Sequence, residues 1–145
     1  MLYLVLQGKP DAPKCLRLVG SELRYLNPDE RSTASLIRNA LIKFEEGKEV
    51  MSSPGIYISR RSFLDILEEL AKPGSLFYLK ENGKPFSEDK SIENPVFVLG
   101  DDKDLFPEEE EMVISKEPHK ITLGPKSLHA DHCITIMHNI LDNIY

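Results

Sequence analysis

Four groups of side chains along this 145-residue chain could carry chemistry. The first is His129-Ala130-Asp131-His132-Cys133, with His138 beyond it. His129 and Cys133 stand four apart, on one face of a helix, a spacing that suits two metal ligands. A third ligand, Cys15 or His119, would have to come from elsewhere. The paired Cys/His spacings of a zinc site are missing, so no metal is expected. Cys133 also sits among apolar helical residues, where thiols are usually inert as nucleophiles. The plainer reading places Cys133 in the core and the histidines at its polar edge. The second group is Gly100-Asp101-Asp102 after an apolar run, either a strand-ending turn or the rim of a site. The third is Arg60-Arg61 behind Pro54-Gly55, joined by Arg24, Arg31 and Arg38, either solvated surface or a phosphate-contacting patch. The fourth, Glu108 to Glu111, reads as a solvated helix start without chemistry. No G-x-G-x-x-G and no P-loop sequence is present.

Composition narrows the classes. An apolar fraction of 41% and a charged fraction of 29% suit an ordinary globular domain. They exclude a disordered chain, a collagen repeat and a bare coiled coil. No apolar stretch is long enough to span a bilayer. Met1 leads straight into Leu2 to Leu6 with no basic region before it, so the start reads as a strand and not as a signal peptide. Two cysteines are too few for a disulfide framework, and a reducing cytoplasm is expected. The net charge is -6. The stretch Asp101 to Glu111 alone holds seven acids against Lys103, and outside it acids and bases balance. The acidity is local, so a nucleic-acid partner stays open.

These groups must be positioned by alternating strands and helices. Leu2 to Leu6 predicts a buried strand, Cys15 to Val19 a second, and Pro95 to Leu99 the cleanest buried one. Leu76 to Leu79 and Ile121 to Leu123 are further strands, with Ile56 to Ile58 a short extended piece. Ser52 to Gly55 and Glu81 to Pro85 read as turns. Asn27-Pro28-Asp29-Glu30 predicts a helix capped by Asn27, with Leu36, Ile37, Ala40, Leu41 and Phe44 inward and Gly47 as its stop. Ser62 caps a second helix with Phe63, Ile66, Leu67 and Leu70 inward. Pro107 opens a third, and a fourth runs from about His129 to Ile144 with Ile134, Met137, Leu141 and Ile144 on one face. Strands separated by helices predict a mainly parallel α/β sheet in a single domain over 1–145. Ligands in such sheets sit beyond the carboxyl ends of strands, here Leu79, Gly100-Asp101 and Leu123-Gly124.

Four blocks in order carry a resemblance. They are Gly20-Ser21-Glu22-Leu23 leading into Asn27 to Arg31, Ser53 to Ile58 leading into Arg60-Arg61, Ile92 to Asp101, and Leu128 to Thr135. Together they resemble the archaeal tRNA pseudouridine-54 N1-methyltransferases, the TrmY family of the SPOUT superfamily, over nearly the whole chain. The resemblance implies a C-terminal trefoil knot, a homodimer, tRNA as substrate and S-adenosylmethionine as methyl donor. It places the cofactor at Leu79, Gly100, Leu123, Gly124, Pro125, Lys126, Ser127, Leu128 and Cys133. Strand ends and a Gly-Pro loop offer backbone groups to an adenine while leucines cover its ring. Gly100 and Gly124 allow close backbone approach. No metal is needed, because the sulfonium already makes the methyl electrophilic.

Pseudouridine is joined to ribose through carbon, so its N1 bears a proton that must be removed or shared. Asp101 is the first candidate for that role, with Asp131 and Asp29 behind it. Arg31, Arg60 and Arg61 are the candidates for tRNA phosphate contact. Family members carry another strand and helix before the piece matching Leu2 to Leu6, so this chain is expected to be shortened at its start. Two other readings stay open at this point. One is a related enzyme acting on ribosomal pseudouridine, and the other an RNA-binding module that has lost its catalysis.

Overall fold

The computed structural model describes residues 1–86, 92–101 and 103–144. Asp102, part of the expected Gly100-Asp101-Asp102 group, lies outside them. By its internal contacts the chain divides into two compact units, Met1–Ile66 and Leu67–Tyr145.

In the first unit, apolar alternation builds β1 (Leu2–Leu6) and β2 (Lys14–Leu18). The seven residues between them are too few for a parallel crossover, so the pair is antiparallel. β3 (Val50–Ser53) and β4 (Ile56–Ser59) are joined only by Pro54-Gly55 and are antiparallel for the same reason. The sheet order is β1-β2-β4-β3. This corrects the expectation of a mainly parallel sheet: short connections make the β1–β2 and β3–β4 pairs antiparallel, and β2 meets β4 antiparallel as well. It also corrects β1, whose residues are exposed or half-buried because it is an edge strand. Ser52 and Ser53, expected in a turn, are strand residues. Ser52 is buried, and its carbonyl accepts from Asn39 Nδ2 at 3.3 Å and Lys43 Nζ at 2.7 Å.

Both of those donors belong to α1 (Glu30–Lys43). Its cap is Asp29 and not Asn27, since Asp29 Oδ1 accepts from the Ser32 amide at 2.7 Å. The helix stops at Lys43, before Gly47, which occupies the turn that follows. Leu36, Ile37, Ala40 and Phe44 pack with Leu16, Ile56 and Ile58 to form the core. Leu41, expected inward, is 42% exposed. α2 (Phe63–Leu70) follows, with a reciprocal cap. The Asp65 amide donates to Ser62 Oγ and the Ser62 amide to Asp65 Oδ2. The Ser62 amide, and after it the Ser62 hydroxyl, hold the Asp65 carboxyl below its usual range.

The second unit holds a parallel sheet of β5 (Leu76–Pro85), β6 (Val96–Val98) and β7 (His119–Thr122), in the order β6-β5-β7. Between β6 and β7 the chain passes through α3 (Pro107–Ser115), a connection long enough for parallel pairing. Phe77, Ile92 and Ile121 form a core joined by Leu79, Phe86 and Phe97. After β7 comes α4 (Ala130–Ile144), in which Met137 is buried but Ile134 is 37% exposed.

Glu81 to Pro85, expected as a turn, instead prolongs β5. The strand meets β7 twice. Phe77, Tyr78 and Leu79 pair with His119, Lys120 and Ile121, then Lys84 and Pro85 pair with Ile121 and Thr122. The Phe86 amide adds a bond to the Thr122 carbonyl at 3.1 Å. Between the two pairings Gly83 lies against the Ile121 backbone, and a Cβ there would collide with the Ile121 carbonyl group. Gly83→Ala is therefore expected to cost about 1–3 kcal/mol through overpacking. Urea denaturation of the variant beside wild type measures it.

Candidate active site

The second unit encloses a cavity of about 450 Å³ at the carboxyl ends of its strands. Strand ends are the usual address of a ligand in a parallel sheet, and the volume suits a small molecule. Leu79 enters from β5, Leu99, Gly100 and Asp101 from the turn after β6, and Leu123, Gly124, Lys126, Ser127 and Leu128 from the segment after β7. Cys133 closes it from the first turn of α4. Of the nine residues expected around the cofactor, eight line this cavity. Pro125 is the exception and is exposed.

Two glycines here differ in kind. A Cβ on Gly100 would lie 2.7 Å from Asp104 Cα, so the loop after β6 can fold back only over a glycine. Asp101 holds that loop: its Oδ1 accepts from the Lys103 amide at 2.8 Å, and its carbonyl from the Asp104 amide at 3.2 Å. Asp104 itself adopts φ 62. Asp101 thus combines both sequence readings, a turn residue that also lines the cavity. Gly124 is unlike Gly100, since a Cβ there meets no atom within 4 Å. Among the described residues, no neighbouring atom excludes a Cβ at that position.

The lining fits the expected cofactor. Leu79, Leu99, Leu123 and Leu128 can cover a flat ring, and Asp101 and Asp104 bring carboxylates toward a cationic group. Cys133 contributes a small apolar wall: burial, and after it Asp131, pushes the thiol up, away from thiolate chemistry. Asp131 is exposed and does not line the cavity. His129 and His132 stack edge to face with ring centroids 5.8 Å apart. Among the described residues, no three His, Cys, Asp or Glu side chains gather as a metal site would require.

Sequence reasoning missed Lys80 and Glu110. Lys80 lines the cavity, and its Nζ lies 3.0 Å from Glu110 Oε1. The same oxygen accepts from the hydroxyl of buried Tyr78 at 3.1 Å. This corrects the reading of Glu108 to Glu111 as a merely solvated run. Glu109 is also committed, accepting from the Phe106 amide at 3.0 Å. A run of four glutamates gives no hint of which one finds a distant lysine.

The arginines lie in the first unit. Arg31 is exposed on the first turn of α1. Arg60 is engaged: Nε reaches Glu46 at 2.8 Å, Nη2 reaches Asp11 at 2.7 Å, and the guanidinium lies 5.0 Å from the Phe44 ring centre. Its charge is offset by two carboxylates. Arg61 is half-buried and stands close enough to lower the Asp65 carboxyl.

The Glu110 contacts set a pH dependence. Lys80 first, and Tyr78 after it, hold the Glu110 carboxyl below its usual range. A lowered carboxyl contributes stability that is complete above its ordinary value and is lost as pH falls through the lowered one. Glu110 raises Lys80, whose contribution is complete below the ordinary lysine value and lost as pH rises through the raised one. Glu110→Gln is expected to lower the urea midpoint at pH 7, with the difference from wild type vanishing in acid. A difference of the same size at both pH values would show that the ion pair contributes nothing.

Comparison with known proteins accords with this cavity. The family described as "Putative SAM-dependent RNA methyltransferase" matches residues 1–145. The chain is 44% identical over 149 residues to a tRNA (pseudouridine(54)-N(1))-methyltransferase of Methanocaldococcus jannaschii, covering 98% of this chain and 72% of that one. It is 44% identical over 142 residues to a protein of the same name from Methanosarcina mazei, covering 97% and 67%. It is 49% identical over 130 residues to one from Haloferax volcanii, covering 88% and 66%. With its whole described cavity inside the matched region, this chain belongs to the SAM-dependent RNA methyltransferase family.

Proposed function

We propose that this protein transfers a methyl group from S-adenosylmethionine to N1 of pseudouridine 54 in tRNA. The observation that carries the reading is the cavity at the carboxyl ends of the strands, lined by eight of the nine expected cofactor residues. The names of the relatives supply the nucleoside and the RNA.

When bound, S-adenosylmethionine supplies an electrophilic methyl on a sulfonium. Leu79, Leu99, Leu123 and Leu128 exclude water from it, and the strand-end backbone orients it, so that alignment supplies most of the acceleration. The Asp101 carboxylate accepts the N1 proton as the nitrogen becomes nucleophilic. Its Oδ1 is fixed by the Lys103 amide, which keeps the group aimed. Asp131, outside the cavity lining, has no part in this scheme. Arg31, Arg60 and Arg61 meet tRNA phosphates, Arg60 from a position that Asp11 and Glu46 hold in place.

The same reading takes residues 1–145 as one methyltransferase domain, supported by a family match over the whole span. It takes the second unit as a trefoil knot, a topology in keeping with the two pairings of β5 against β7. It places the enzyme in the cytoplasm as a homodimer. Among the described residues no helix is long and apolar enough to cross a membrane.

Labelled methyl transfer to tRNA carrying pseudouridine at position 54, beside tRNA with uridine there, tests the proposal. Product on the first substrate alone is expected, and no transfer to either overturns it. Asp101→Asn keeps an acceptor for the Lys103 amide while removing the charge. It is expected to lower kcat about 100-fold or more. Gly124→Val is expected to keep the wild-type melting temperature and to lose most affinity for S-adenosylmethionine in calorimetry. Unchanged affinity in that variant would place the cofactor elsewhere.

A further inference from the structure

The second unit has another concavity, larger than the first at about 1070 Å³, around the amino ends of the same strands and the last residues of β5. Its lining differs in chemistry. Lys72, Lys84 and Lys120 line it, with Glu93 the one acid among its described lining residues. All three lysines are exposed, and none forms an ion pair with another described residue. The fold brings two of them together, because the pairing of β5 with β7 registers Lys84 against Ile121, next to Lys120. Lys72 sits in the turn entering β5, where its carbonyl accepts from the Ser75 amide at 3.1 Å.

An aromatic wall stands beside these cations. His119 is exposed, and its ring lies over Phe77 with centroids 5.1 Å apart and planes tilted by 30°. Phe77 is buried and braced by Phe86 and Phe97 at 5.6 Å and 5.3 Å. The outer face of His119 is thus a planar surface on a rigid base. Cations beside such a face are what an unpaired nucleotide requires, the phosphate meeting lysine and the base extending the ring stack.

We infer that this groove binds an unpaired nucleotide of the RNA substrate, its base stacked on His119 and its phosphates met by Lys72, Lys84 and Lys120. The inference rests on the RNA reading above and adds a second contact to it, since His119 and the three lysines are absent from the lining of the cofactor cavity. Charge favours RNA over an acidic protein segment less decisively than the ring does, because a carboxylate has no face to stack.

Binding of full-length tRNA by fluorescence anisotropy across a salt series tests it, with wild type, Lys84→Ala/Lys120→Ala, His119→Ala and His119→Phe. Calorimetry with S-adenosylmethionine on each variant checks that the cavity, and so the fold, survives. The double lysine variant is expected to flatten the dependence of log K on log salt by roughly one charge per lysine. His119→Ala is expected to weaken binding about five-fold or more with the slope unchanged, and His119→Phe to restore it. An unchanged slope in the lysine variant overturns the inference. So does a lysine effect without any response to His119→Ala, which would leave a charged surface with no nucleotide seat. Failure of wild-type methyl transfer is a separate result: it defeats the proposed reaction, while this assay reads binding alone.

Discussion

Everything in the second unit depends on how closely two backbones approach at Gly83. β5 pairs with β7, leaves it and pairs again, and at the point between no Cβ fits against Ile121. The constraint is steric and local, yet its effect is wide. It fixes β7 along most of its length, so the segment after Thr122 starts from a defined place and direction. That segment supplies Leu123, Gly124, Lys126, Ser127 and Leu128 to the cavity wall. The same pairing registers Lys84 beside Lys120 at the other end of the strands. One backbone contact therefore positions two regions, the strand-end cavity with its leucines and carboxylates and the groove with its three lysines.

The cavity is shaped by different means on its two sides. Around Gly100 the turn is closed from within: Asp101 accepts two amides and Asp104 takes a left-handed backbone. Around Gly124 there is no such lock beyond Thr122, whose Oγ1 donates to the Gly124 carbonyl at 2.9 Å. Lys80 and Glu110 brace the rim, tying β5 to α3 through an ion pair and a tyrosine hydroxyl. The first unit uses the same device. Arg60 joins Asp11 and Glu46, residues 49 and 14 positions away in sequence, over the Phe44 ring.

How far the sequence discloses this depends on the kind of interaction. Leu2 to Leu6 and Val96 to Val98 are legible as apolar runs, and Ser62 to Asp65 as a cap, because those signals are local. The β3–β4 hairpin is hidden because Ser52 and Ser53 are small and polar, and the partners that satisfy Ser52 come from α1. The second half of β5 is hidden behind Asn82-Gly83-Lys84-Pro85, which has every mark of a turn. Its strand character comes from β7, some forty residues later, through backbone bonds that leave no trace in side-chain pattern. The cavity residues were legible through resemblance. Spacing alone gave only the strand ends, and the His129 to Cys133 cluster offered two candidate ligands at helical spacing without the Cys/His pairs of a zinc site. Arg60 was legible as a cation but not as a committed one, since its partners lie on two separate loops.

The open space at Gly124 has a consequence for selection. Residues such as Gly83 and Gly100 are kept by the demands of folding, so any screen for soluble, well-folded protein would retain them. Gly124 answers to nothing inside the protein. A lineage released from its cofactor would keep the first two glycines and let the third drift, with no sign of the loss in expression or melting behaviour. Under the proposed reaction, the identity of this one residue records the ligand rather than the fold.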